Sequence, residues 1–190
     1  MKNINYRFNE ATVQLLHNLI GKSFQNFSCD RLPNASTTIY GAVVFLIDNV
    51  TYALTNFLES VDYINRKDDL GIFRFSAIDD IRRIEIFREC TPITTPVNQK
   101  IVSIKIVEET QHLYKDNAIE YEISTVRGII FVLEDGREIS FEKDIWFSEF
   151  IEVRTGYELE TTFASPDVFI EEWSDSNYIP DIERNIVVIQ

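Results

Sequence analysis

Residues 128–152 read GIIFVLEDGREISFEKDIWFSEFIE, and the reading of this stretch decides the fold. Residues 129–133 form an unbroken apolar run of strand length, Asp135 and Gly136 are turn residues, and Ile139 and Phe141 alternate with polar neighbours on the return. A buried strand, a tight turn centred on Asp135-Gly136 and a second strand are therefore expected. From Glu142 onward acidic residues interleave with the Trp146-Phe147 pair, and a further strand or bent edge is expected over 145–153.

Working back toward the amino terminus, residues 119–126 alternate in character and precede the hairpin directly, behind a turn at 115–117. Residues 101–106 alternate as well. Consecutive strands joined by short turns favour an antiparallel meander over a parallel sheet with crossover helices. Residues 39–56 repeat the hairpin pattern: an apolar run over 42–47, a turn at Asp48-Asn49, and Tyr52 and Leu54 on one face of the return. The two hairpins align without gaps, Gly41 on Gly128 and Asp48 on Asp135, so two related β-lobes would account for the pattern. Residues 61–64 and 71–75 read as strands around a polar turn at 65–69, while 78–88 fits helix and strand equally. Prolines among threonines at 90–99 mark the expected internal boundary, with an amino-terminal lobe over 1–97 and an acidic lobe over 98–190, or one continuous domain.

Helices are few. Val13, Leu16 and Ile20 share a helical face between Asn9, a suitable N-cap, and Gly21. Ser165-Pro166-Asp167 begins a short helix that runs to near Trp173. Residues 24–38 show no periodicity and read as a loop, and 185–189 reads as a closing strand. The expected class is α+β, predominantly antiparallel sheet with an amino-terminal helix and a short carboxy-terminal one.

The chain has 190 residues, is 45% hydrophobic, and contains 14 Phe and 8 Tyr, a composition that excludes disorder. No apolar run is long enough to span a membrane and no leader pattern is visible, so a cytoplasmic protein is expected. Cys29 and Cys90 stand far apart, outside any metal or redox spacing, and read as reduced thiols. The net charge is −13, and residues 134–190 carry 15 Asp/Glu against 4 Lys/Arg. Such a field repels nucleic acid and anionic membrane and steers basic partners.

Catalytic signatures are absent: two histidines, no glycine-rich phosphate loop, no GxSxG elbow. Glu108 and His112 could share a metal only on a helix, and a strand would hold them about 13 Å apart. No catalytic residue, cofactor or metal is expected. The candidate site is an acidic and aromatic face made of Glu142, Asp144, Trp146, Glu149, Glu152, Glu171, Glu172, Trp173 and Asp175. Carboxylates two apart on a strand, Glu142/Asp144 and Glu158/Glu160, would form rows about 7 Å apart that mimic phosphates.

The expected function is non-enzymatic: an acidic protein that occupies a basic surface of a partner protein, such as a nucleic-acid-handling enzyme. By analogy of composition alone, this is the manner of inhibitors, immunity proteins and DNA-mimicking anti-CRISPR proteins. The alternatives are a small hydrolase or ligand-binding β-protein with a pocket between lobes, and a structural subunit assembling through exposed strands.

Overall fold

The computed structural model describes residues 1–31, 36–171 and 177–190. It is α+β and mostly antiparallel, with eleven strands in one connected sheet. In chain order these are β1 (Lys2–Tyr6), α1 (Glu10–His17), β2 (Ser23–Cys29), β3 (Ser36–Tyr40), β4 (Ala42–Ile47), β5 (Val50–Tyr63) and β6 (Arg66–Ala77). A 3-10 turn (Ile81–Arg83) and α2 (Ile86–Glu89) follow, then β7 (Ile93–Lys115), β8 (Ala118–Leu133), β9 (Glu138–Lys143) and β10 (Phe150–Gly156). A second 3-10 turn (Leu159–Thr162), α3 (Pro166–Glu171) and β11 (Ile179–Ile189) complete the chain.

The pairing order β3-β10-β9-β8-β7-β2-β4-β5-β6 begins and passes through neighbours in sequence, because β3 and β4 are separated only by Gly41. Gly41 therefore joins two parts of the path and wraps the sheet around a common core. Its N–H donates to the Glu149 carbonyl at 3.0 Å, and its own carbonyl accepts from Asn56 N at 2.7 Å. Its φ is +65°, and a Cβ there would lie 2.8 Å from the Phe57 ring, so only glycine makes this junction without strain. Inside the wrap, Phe24, Phe45, Phe131 and Phe141 pack edge to face at 5.1–6.1 Å. Leu16 and Leu19, in α1 and just after it, join the same core.

A second core lies where the distal halves of the β5–β6 and β7–β8 hairpins face each other, with Val61, Tyr63, Leu70, Ile72, Leu113, Tyr121, Ile123 and Trp146. Parallel β1 pairs with β8 over Lys2 to Tyr6, and β11 pairs with β7 along its whole length.

Several expectations hold locally. Asn9 caps α1 by accepting from Thr12 N at 2.9 Å, and Ser165 Oγ accepts from Asp167 N at 3.3 Å at the start of α3. The turns at Asp48-Asn49 and Asp116-Asn117 have both residues at positive φ, the two-residue form that suits the twist of a hairpin. Others shift. The β5–β6 turn is Ile64-Asn65, and 66–69 already belong to β6. The β8–β9 turn centres on Glu134-Asp135, closed by Gly136 N to the Leu133 carbonyl at 2.9 Å, with Gly136 (φ +83°) following it.

Residues 24–38 are not a loop throughout: β2 runs through the core with Phe24 and Phe27 fully buried. A register shift between Phe24 and Asn26 spaces these rings three apart, which erases the period of two from the sequence. Pro96 sits within β7 opposite that irregularity, a position where the ladder tolerates a missing N–H. The expected boundary at 97/98 falls inside β7, and the main core draws Phe45 from one side of it and Phe131 from the other.

Candidate functional site

Of the expected acidic and aromatic face, the structure brings only part to the surface. Residues 138–143 of β9 are buried throughout. Glu142 is 1% exposed: Oε1 accepts from Arg127 Nη2 at 2.8 Å and Nε at 3.1 Å and from Ala164 N at 2.9 Å, and Oε2 is paired with Arg154. It is an internal counter-ion, not a surface acid. Trp146 is 0% exposed and donates from Nε1 to Glu109 Oε2 at 2.8 Å. Glu109 is held in turn by Arg184, whose Nη2 also donates to the Ala164 carbonyl at 2.6 Å.

Residues 144–149 leave the strand direction because they close over this network. Asp144 N donates to the Phe150 carbonyl, and Gly71 N to the Trp146 carbonyl. Asp144 is exposed, while Glu149 and Glu152 are half-buried. The anticipated carboxylate rows do not form: Glu142 is interior, Asp144 lies beyond the end of β9, and Glu160 pairs with Lys105 at 2.8 Å. Glu171 is the last residue of α3. Glu172, Trp173 and Asp175 lie outside the described residues.

Acidity concentrates instead in a cleft of about 680 Å³ lined by Asp30, Tyr40, Phe57, Glu85, Ile86, Glu89, Cys90 and Glu149. Five pieces of chain meet there: the end of β2, β3, β5, α2 and the segment before β10. Glu149, the one member already expected, is fixed by Tyr40 Oη at 2.5 Å and Leu58 N at 3.4 Å. That bond, with burial second, raises the Tyr40 hydroxyl above its usual pKa. Phe150 stacks edge-on against Tyr40 at 5.8 Å and is 43% exposed, an aromatic shoulder beside the carboxylates.

Asp30 Oδ2 lies 3.4 Å from Arg31, while its Oδ1 is buried with no hydrogen-bond partner among the described residues. Glu85 and Glu89 are exposed and have no ion-pair partner among those residues. Four carboxylates and two aromatic rings thus line the cleft, and among the described residues no Lys, Arg or His does. Such a site concentrates positive charge and offers flat apolar walls to the stem of a long cationic side chain.

Nothing in the sequence singles out Asp30, Glu85, Glu89 and Tyr40: 24–38 reads as loop, 78–88 has no decisive period, and Tyr40 and Glu89 sit at the ends of their segments. The thiols differ in setting: Cys90 lines the cleft half-buried, whereas Cys29 is fully buried. Burial pushes the Cys29 thiol up to about 11.

Metal-type side chains also occur outside the cleft. Glu108 and His112 both lie on β7, as a strand requires, and Glu108 turns to Arg7 at 3.0 Å. No protein-family model matches the chain, and no curated protein or solved structure matches it. Among the described residues no helix is long and apolar enough to cross a membrane.

Proposed function

We propose that this is a non-enzymatic acidic binding protein whose cleft receives basic side chains from a partner protein. The observation that carries the reading is the cleft lining: four carboxylates from three separate segments, Tyr40 and Phe57 beside them, and no cationic residue among the described lining residues. Arginine suits this lining best, since its planar guanidinium pairs with carboxylates and stacks on aromatic faces. The overall charge of −13 adds long-range steering toward a basic surface.

Basic surfaces shaped to hold phosphate are characteristic of nucleic-acid-handling proteins, so we place the partner in that class and the role among inhibitors or immunity-type proteins. We further propose a cytoplasmic setting, in keeping with two free cysteines. Mimicry of a phosphate run along strands is no part of this reading, because Glu142 is interior.

The test is fluorescence anisotropy with a labelled nona-arginine peptide at low salt. Micromolar binding is expected, weakening at least tenfold in Glu85→Gln/Glu89→Gln and falling steeply with added salt. A control pair on two turns outside the cleft lining, Asp116→Asn/Asp135→Asn, should leave it unchanged. Binding that ignores the cleft substitutions would overturn the proposal.

A further inference from the structure

Strand register sets a row of polar side chains across one face of β11, β7, β8 and β1. Asp181 stands opposite His112, His112 opposite Glu122, and Glu122 opposite Asn3. Glu183, two residues along β11, projects from the same face as Asp181. The ligating atoms of His112, Asp181 and Glu183 lie within 4.8 Å of one another.

The histidine is prepared from behind. Asn3 Nδ2 donates to Glu122 Oε1 at 2.7 Å, and Glu122 Oε2 lies 3.4 Å from His112 Nε2. A carboxylate facing Nε2 favours the tautomer with the proton on that nitrogen, which leaves a lone pair on Nδ1. Nδ1 is buried and has no hydrogen-bond partner among the described residues. A desolvated lone pair without a donor is costly unless something satisfies it, and two carboxylates close to the imidazole favour a cation over a neutral donor.

We propose that His112, through Nδ1, together with Asp181 and Glu183 binds a zinc ion, with Glu122 orienting the imidazole as an outer partner. One imidazole and two carboxylates suit zinc better than magnesium or calcium, which take oxygen ligands in larger number. Bonds of roughly 2.0–2.2 Å hold two ligand atoms of a tetrahedral zinc about 3.3–3.6 Å apart. The 4.8 Å span therefore requires that Asp181 and Glu183, both exposed, draw in by about 1–1.5 Å, a side-chain rotation. Three protein ligands leave one tetrahedral position open, so the bound ion would carry an exchangeable water. The site shares no residue with the acidic cleft, so either proposal can fail without the other.

The experiment is calorimetric titration of the metal-stripped full chain with zinc chloride at pH 7.5, with cobalt(II) absorption reporting the ligand set. One zinc per chain is expected, unaffected by a tenfold excess of magnesium. His112→Gln and, separately, Asp181→Asn/Glu183→Gln should each weaken binding at least tenfold, while His17→Gln leaves it unchanged. The Asp181/Glu183 pair is exposed, so it remains informative if His112→Gln disturbs the fold, with circular dichroism as the check. Absence of binding at 100 µM zinc would overturn the proposal. So would zinc retained in the Asp181/Glu183 variant but lost in Cys90→Ser, which would locate the ion in the cleft.

Discussion

Replacing Lys143 with methionine is expected to stabilise the protein below neutral pH and destabilise it in alkali. The amine is 0% exposed, and its Nζ donates to the Gly71 carbonyl at 2.5 Å and to Thr125 Oγ1 at 3.0 Å, with the Phe73 ring 5.4 Å away. Burial first, and the nearby Arg127 second, push its pKa from 10.5 down to about 7, against an opposing pull from Glu109. Below pH 7 the lysine is charged in both folded and unfolded chains, and the fold bears the whole cost of the buried charge. Between about 7 and 10.5 the folded protein holds a neutral amine while the unfolded chain still binds the proton, so stability rises with pH. Above 10.5 both forms are neutral and the rise ends.

At about 1.4 kcal/mol per pH unit the span corresponds to roughly 5 kcal/mol. Methionine is close in volume and removes the charge, but it leaves the Gly71 carbonyl and Thr125 hydroxyl without their donor, at a cost of about 1–3 kcal/mol. The variant should therefore be more stable than the parent by about 2–4 kcal/mol at pH 6 and less stable by about 1–3 kcal/mol at pH 10.5. Urea unfolding of both proteins, followed by tryptophan fluorescence and circular dichroism across that range, measures the difference. Other titrating groups act on both chains alike and largely cancel. A stability difference that is flat with pH would refute the reasoning.

Three further outcomes are expected. Glu142→Gln should destabilise the fold by about 3–5 kcal/mol, because Arg127 and Arg154 lose a buried counter-ion, and urea midpoints at pH 7 will measure it. Gly71→Ala should lower the melting temperature markedly, since its Cβ would collide with the Ser148 carbonyl oxygen and lie 2.9 Å from Asn56 Oδ1, pushing residues 146–148 off β6. Thermal unfolding with fluorescence from buried Trp146 reports both changes. Iodoacetamide at pH 8 should alkylate Cys90 and spare Cys29 in the folded protein, because Cys29 is both fully buried and raised to about 11; peptide mass mapping distinguishes the two.

The elements that were legible from the sequence are those whose cause is local. The run at 129–133, the Asp116-Asn117 turn, the Asn9 cap and the Ser165-Pro166 helix start each depend on a few consecutive residues, and each appears where expected. Strand β2 was missed because one irregularity at residues 24–26 cancels its alternation. Strand β1 has only five residues and is placed by β8 rather than by its own pattern. For the site, Glu149 was legible as an acid beside aromatics, yet its cleft partners Asp30, Glu85 and Glu89 come from segments far apart in the chain.

Glu142 and Asp144 show the same limit from the other side. Spacing along a strand says that two carboxylates share a face, and composition says that acids are usually solvated. Neither can say that Arg127 and Arg154 would close over the first while the second passes the strand end and turns outward. By itself the sequence determined the class of fold, the hairpins with their turns, and a strong negative charge. Only the tertiary structure decided which carboxylates are neutralised inside, which line a cleft, and which meet His112. Periodicity and turn chemistry act between neighbours in the chain, whereas desolvation and ion pairing act between neighbours in space.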